Sequence, residues 1–394
     1  LHEVNKIFLT ANNKLQGLIK DRILQSGGSI PFSEYMELSL YHPEYGYYTS
    51  NLIKFGSKGD FTTAAEIGNL FAKCLAEEII HIFQNIKNNN ILEIGAGTGK
   101  LAVDLIGILN SQNIYIDTYF ILEKSPNLRN IQQQKIAKLN VKGTKIIWLD
   151  QLPQDNAFSG VILANEVLDA LAVTCFSVNT NLTTIQERRV AYAASTNSFY
   201  FVNAPASIEL AATVIATGVQ GNFIDFKPTD SVYTSEVNLS LAPFIQNIAK
   251  FLNVGVILFF DYGFLATEYY HATRNGGTLM CHYQHHAHTD PFVYLGLQDI
   301  TAHVDFSAVQ AIARENELSC LAMTTLAWFL VNCGITKFLA AYNCLCTAER
   351  IKIQAEINIL TSPAEMGEIF KVLCLGKNYF GSLLGFVNGK SYLL

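Results

Sequence analysis

Gly95, Gly97 and Gly99 follow the apolar run Ile91-Leu92-Glu93-Ile94 and precede Leu101-Ala102-Val103-Asp104-Leu105-Ile106, which is apolar at helical spacing. A strand, a tight turn and a helix in that order make a ligand loop. Glycines in the turn let the backbone approach a molecule lying across the strand ends, at the helix N-terminus. A phosphate-binding loop is excluded, because the pair Gly99-Lys100 has Ile94 where the leading glycine belongs and Leu101 where Ser or Thr belongs. The spacing also departs from the Gly-x-Gly-x-x-Gly of dinucleotide folds, and Glu93 stands two residues ahead of it. Glu123 ends the next strand-like run, Thr118 to Leu122, at the distance where a doubly wound fold places an acid that accepts both ribose hydroxyls. It points to a nucleoside without saying which. Asp150, after Lys145 to Leu149, is placed to accept from an adenine amino group.

A second constellation is Asn165-Glu166-Val167-Leu168-Asp169, just past the fourth strand-like run Gly160 to Ala164. Ligands of an open parallel sheet sit outside the carboxyl ends of its strands, so these side chains either face the reacting group or cap the next helix. Asp261, in Asp261-Tyr262-Gly263, closes a fifth strand over Val254 to Phe260 at the same end. His303 and Asp305 read either as acceptor-side groups or as a satisfied histidine and the cap of a helix over Phe306 to Ala313. In Gly59-Asp60-Phe61-Thr62-Thr63 the polar residues precede a helix and could cap it. The tract Cys281 to Asp290 holds His282, His285, His286 and His288 at spacings that suit neither a helical pair nor a zinc finger. A mobile loop at the mouth of the site is expected there, and no metal.

Positioning these groups takes a sheet with helices on both faces, and 394 residues suffice for it. The formal net charge of -6 and the lack of a basic stretch exclude a nucleic-acid backbone as the main partner. Eight cysteines with no Cys-x-x-Cys pair read as reduced thiols. The mean hydropathy is high, +0.22. Yet the uncharged run most like a membrane span, Leu318 to Thr336, is diluted by Ser319, Thr324, Thr325, Asn332 and Gly334, and reads as a buried strand entering a buried helix. No transmembrane segment and no signal-like apolar opening are expected.

The acidic, evenly spaced glycine loop is typical of S-adenosylmethionine methyltransferases, where it borders the methionine part of the cofactor. The ordered set of motifs goes further. The aromatic run Pro31 to Tyr48, Gly59-Asp60-Phe61-Thr62-Thr63, Glu93 to Gly99, Glu123 to Arg129, Asn165 to Leu171, Asp261-Tyr262-Gly263, Ile300 to Phe306 and Met366 to Val372 together resemble the MidA-like methyltransferase family. That family includes a mitochondrial complex I assembly factor that symmetrically dimethylates an arginine of a core subunit. The resemblance spans nearly the whole chain. It implies a Rossmann-like class I α/β sheet with helical and antiparallel β insertions. S-adenosylmethionine is the implied cofactor, held by Glu93, Gly95, Gly97, Gly99, Glu123, Asp150, Asp60 and Thr62. The implied acceptor is a protein arginine, with a subunit of the respiratory NADH:quinone oxidoreductase as partner. The location it implies is the cytoplasm of a bacterium or the mitochondrial matrix of a eukaryote.

Guanidinium is cationic at ordinary pH and its lone pair is delocalised. Carboxylates that hold the fork can concentrate charge on the far nitrogens and expose a nearer one. Glu166 and Asp169 are the candidates for that work, with Asn165 orienting them and with Asp261, His303 and Asp305 on the substrate side. A methyltransferase for another acceptor, or a nucleoside-binding assembly factor without turnover, would keep the same cofactor motifs. The family usually has Pro where this chain has Ala172, which predicts a slightly looser loop. The expected division is a helical lid over 1–84, a Rossmann-like domain over 85–175 and 236–327, an antiparallel insertion over 176–235, a helical insertion over 328–364, and a final edge strand within 365–394.

Overall fold

Runs such as Val161-Ile162-Leu163-Ala164 have no polar face to give to water, and they form the middle of an eight-stranded sheet. The computed structural model describes residues 2–50, 63–139, 143–153, 155–179, 184–219, 232–340, 346–389 and 392. In chain order, α1 (His2–Gln25), β1 (Ile30–Pro31), α2 (Phe32–Tyr41), α3 (Ala64–Ile67) and α4 (Leu70–Phe83) precede the glycine loop. Then come β2 (Ile91–Ile94), α5 (Lys100–Ser111), β3 (Thr118–Leu122), α6 (Pro126–Ile136), β4 (Lys145–Leu149) and β5 (Phe158–Asn165). An antiparallel excursion follows: β6 (Thr174–Asn179), β7 (Ile185–Ala193), β8 (Ser198–Pro205), α7 (Ile208–Ala216) and β9 (Val232–Val237). The chain returns through α8 (Leu241–Phe251), β10 (Leu252–Phe264) and α9 (Ala266–Tyr269). Next are β11 (Met280–Tyr283), β12 (His286–His288), β13 (Asp299–Thr301), β14 (Val304–Asp305), α10 (Phe306–Glu315) and β15 (Ser319–Thr325). The last elements are α11 (Leu326–Asn332), α12 (Lys337–Ala340), α13 (Thr347–Thr361), α14 (Met366–Ile369) and β16 (Phe370–Lys377).

The central order is β15-β16-β10-β5-β2-β3-β4, with β14 paired to β10. The strands β4, β3, β2, β5 and β10 run parallel, and β16 is antiparallel to β10. Side chains alternate between the two faces, so each strand feeds two cores. Ile91, Val161, Leu163 and Val256 pack under α4 and α5, whereas Leu92, Ile162 and Ile257 pack under α8 and α10. This is the doubly wound α/β architecture expected from the sequence. Among the described residues, no helix is long and apolar enough to cross a membrane, and no disulfide is present.

Three expectations are corrected. The last strand is not at the edge: β16 lies between β15 and β10 and is buried over Phe370 to Gly376. Its run Phe370-Lys371-Val372-Leu373-Cys374-Leu375 is too apolar for a strand with one open side, and the edge falls to β15. The N-terminal helices do not form one layer. Apolar residues of α1 and α2 share a core with β6, β7, β8, β11 and β13, while α4 is a layer of the central sheet. The histidine tract is a hairpin and not an irregular loop. β11 and β12 pair antiparallel through a turn in which Gln284 and His285 both take positive φ, and β13 adds to the other side of β11.

Candidate active site

All three loop glycines are left-handed, with φ of 67° at Gly95, 51° at Gly97 and 77° at Gly99. Such backbone disfavours any side chain. A Cβ on Gly99 would also meet Gln132, its backbone Cα at 3.2 Å. Gln132, fully buried on α6, holds the loop: its Nε2 donates to Gly97 O (2.9 Å) and to Glu123 Oε2 (3.1 Å), and its Oε1 accepts from Trp148 Nε1 (3.0 Å). Ser125 N donates to Glu123 Oε1 at 2.8 Å, so the acid at the end of β3 is fixed from both sides. Under the loop, Glu93 accepts from Tyr119 OH (2.7 Å), and burial lifts its carboxyl to about 7.

At the end of β5 the chain turns sharply. Glu166 has φ +53°, and its N–H donates to Phe260 O at 2.8 Å. Asp261 fixes this turn: its Oδ2 accepts from the N–H groups of Val167 (3.2 Å), Leu168 (2.9 Å) and Asp169 (3.3 Å). Glu166 Oε1 accepts from Ala64 N (3.3 Å) and Asn165 Nδ2 (3.2 Å). Tyr262 OH donates to Asp169 Oδ2, whereas the buried Asp169 Oδ1 and Asn165 Oδ1 have no hydrogen-bond donor among the described residues. Burial first, and then the charge of Asp169, raise the Glu166 carboxyl to about 8. Burial raises Asp169 to about 6 against the opposing Tyr262 hydrogen bond.

The two constellations meet in one cavity of about 670 Å³. Of the residues singled out in the sequence, Glu93, Gly95, Gly97, Glu123, Asn165, Glu166, Asp169 and His303 line it. The others do not. Gly99 caps α5. Asp150 has its side chain 88 % exposed and pairs with Arg129 Nη2 at 2.7 Å, because β4 lies at the sheet edge where the carboxylate is drawn to the guanidinium of α6. Asp261 is spent on the turn. Asp305 caps α10 by accepting from Ser307 N (2.9 Å) and Ala308 N (3.2 Å). Asp60 and Thr62 lie outside the described residues. Ala172 is buried, and its carbonyl accepts from Ser240 Oγ at 3.1 Å.

The sequence reading passed over Asp299, Tyr41, Tyr48 and Tyr262, which also line the cavity, and Gln132 behind it. Tyr41 and Tyr48 stand in the tyrosine-dense run, and the density was the available signal. His303 stacks face to face on Phe264 (5.2 Å between centroids), and burial with Arg274 nearby lowers it to about 4, so its imidazole is neutral. The walls carry Glu37, Glu66, Glu93, Glu123, Glu166, Asp169 and Asp299 against Lys124 and two histidines. Such a cavity suits cationic ligands.

Residues 74–324 match the model of the family described as "Putative S-adenosyl-L-methionine-dependent methyltransferase", and the chain belongs to that family. It is a methyltransferase whose cofactor is S-adenosylmethionine. Among particular relatives, it is 28 % identical to the mitochondrial protein arginine methyltransferase NDUFAF7 of Xenopus laevis, over 88 % of this chain and 81 % of that protein. The Drosophila melanogaster homologue is 27 % identical, over 93 % and 85 % of the two chains. A crystal structure of a Burkholderia thailandensis protein bound to S-adenosyl-homocysteine is similar with a TM-score of 0.87 and 35 % identity, covering 97 % of this chain and 96 % of that one. The residues present fit the cofactor. A loop of left-handed glycines leaves no side chain between backbone and cavity, and beside it Glu123 is held in place as an acceptor for ribose hydroxyls.

Proposed function

We propose that this methyltransferase acts on the guanidinium of a protein arginine, with a subunit of the respiratory NADH:quinone oxidoreductase as the acceptor protein. The observation that carries this reading is the placing of half-buried Glu166 and buried Asp169 on the wall of the cavity that the glycine loop also lines. The names of the curated relatives support it. Gly95, Gly97 and Glu123 would hold the cofactor, with Glu93 beneath the loop. Bound there, S-adenosylmethionine supplies a methyl group made electrophilic by its sulfonium.

The protein's own task is to position the acceptor and manage one proton. Glu166 and Asp169 hold the guanidinium fork, and Tyr262 fixes Asp169 by donating to it. Ala64 N and Asn165 Nδ2 both donate to Oε1 of the Glu166 carboxylate, which leaves Oε2 for a substrate N–H. A guanidinium nitrogen that gains a methyl group must shed a hydrogen. Glu166, with its carboxyl near 8, accepts that proton once it has bound ionised. The working location would be the mitochondrial matrix for a eukaryotic chain and the cytoplasm for a bacterial one.

The test is incubation of the purified chain with deuteromethyl-labelled cofactor and an extract of its own organism, followed by mass spectrometry of digested proteins. Label on arginine side chains of that oxidoreductase is expected. Label confined to another residue type or to small molecules would overturn the arginine reading, and label on arginines of other proteins would overturn the partner.

A further inference from the structure

A third carboxylate, Asp299, lines the same cavity from a separate sheet. It is 2 % exposed, and its Oδ1 accepts from Ile300 N at 3.0 Å. Tyr48 OH lies 2.9 and 3.0 Å from its two oxygens. Tyr48 stacks on Tyr41 (5.3 Å between centroids), whose OH donates to Ala170 O at 3.1 Å. Ala302 N donates to Asp169 O at 3.1 Å. Asp299 is therefore braced to the Glu166–Asp169 turn by two routes, one through the tyrosine pair and one through its own strand.

We propose that Asp299 is a specificity-determining residue: with Glu166 and Asp169 it binds the acceptor cation, and it makes the site choose the flat guanidinium of arginine over the ammonium of lysine. This rests on the arginine reading above. Glu166, Asp169 and Asp299 repel each other around one cavity, and Asp299 adds to the upward pressure on Glu166. A cation placed among them relieves that repulsion. A compact ammonium carries three donors on one atom, whereas guanidinium spreads five N–H groups across a plane and can reach carboxylates on separate walls. The bland alternative is that Asp299 serves only to anchor Tyr48. Asp299→Asn separates the two, since the amide oxygen still accepts from Tyr48 while the charge is gone.

The experiment is calorimetric titration of the full chain, saturated with S-adenosylhomocysteine, with N-acetyl-arginine methylamide and N-acetyl-lysine methylamide as probes. The unaltered chain should prefer the arginine probe. Asp299→Asn should bind that probe about tenfold more weakly and lose most of the preference, with affinity for S-adenosylhomocysteine unchanged. Tyr48→Phe, which keeps the charge, should keep the preference. Unchanged affinity and preference in Asp299→Asn would overturn the proposal, as would a preference lost in Tyr48→Phe and kept in Asp299→Asn. An unaltered chain that shows no preference for the arginine probe would instead overturn the arginine reading itself.

Discussion

Acceptor binding should be pH-dependent through Glu166. Its carboxyl stands at about 8, against an ordinary value of 4.5, because burial penalises the ionised form and Asp169 repels it. A guanidinium beside it reverses both penalties and favours the carboxylate, so the protein must release the proton as the acceptor binds. If only the ionised form binds, affinity falls about tenfold for each pH unit below the carboxyl's own value. The ionised fraction is about one half at pH 8 and about one hundredth at pH 6, which gives roughly a fiftyfold change in affinity across that interval. The assay is titration of the S-adenosylhomocysteine complex with N-acetyl-arginine methylamide at several pH values. Repeating it at about pH 7 in two buffers of different ionisation heat counts the protons released. Close to one proton is expected for the unaltered chain and none for Glu166→Gln, whose affinity should vary little over the same range. A pH-independent affinity with no proton release in the unaltered chain would refute the placing of Glu166 against the cation.

The same raised carboxyl has a consequence for stability. Between pH 4.5 and about 8 the folded chain keeps a proton that the unfolded chain releases, so Glu166 lowers stability progressively as pH rises through that window. Glu166→Gln should therefore melt a few degrees higher than the unaltered chain near pH 8.5 and about equally near pH 4.5, by calorimetry; equal melting at both would contradict the burial argument. Asp261→Ala orphans the N–H groups of Val167, Leu168 and Asp169. It should cost about 3 kcal/mol or more in denaturant unfolding, while Asp261→Asn, which keeps an acceptor, should cost less. Gln132→Ala removes the donor shared by Gly97 and Glu123 and should weaken S-adenosylhomocysteine binding about tenfold in calorimetry, a loss of about 1.4 kcal/mol. Gly97→Val forces a β-branched residue into φ 51° and should abolish that binding with the circular dichroism spectrum unchanged.

The sheet was legible because its strands are short, apolar and separated by helices at regular spacing, a pattern with few other solutions. What escaped was pairing between distant strands. The run Phe370 to Leu375 is as apolar as any central strand, yet its late place in the chain suggested an edge; only its insertion between β15 and β10 explains why both faces and both backbone sides are covered. Hairpin geometry escaped as well. The histidines of the Cys281 to Asp290 tract suggested chemistry or mobility, while the positive φ of Gln284 and His285, which makes the tract a hairpin, belongs to residue types that rarely announce a turn.

Within the site, the sequence reading singled out carboxylates but could not distribute their labour. Glu166, Asp169 and Asp261 all follow strands and all look alike in a sequence. Their differences arise from which backbone amides lie opposite: three such amides point at Asp261 and absorb it into the turn, while Asp169 receives a tyrosine hydroxyl and stays on the cavity wall. Asp299 was invisible for a related reason. It sits in Leu297-Gln298-Asp299-Ile300, with no glycine loop or strand-end signature near it, and reaches the site only because β13 joins a hairpin that the N-terminal tyrosines brace. A buried carboxylate that a second element is built to orient is the kind of residue for which the folded chain, and not local pattern, supplies the functional argument.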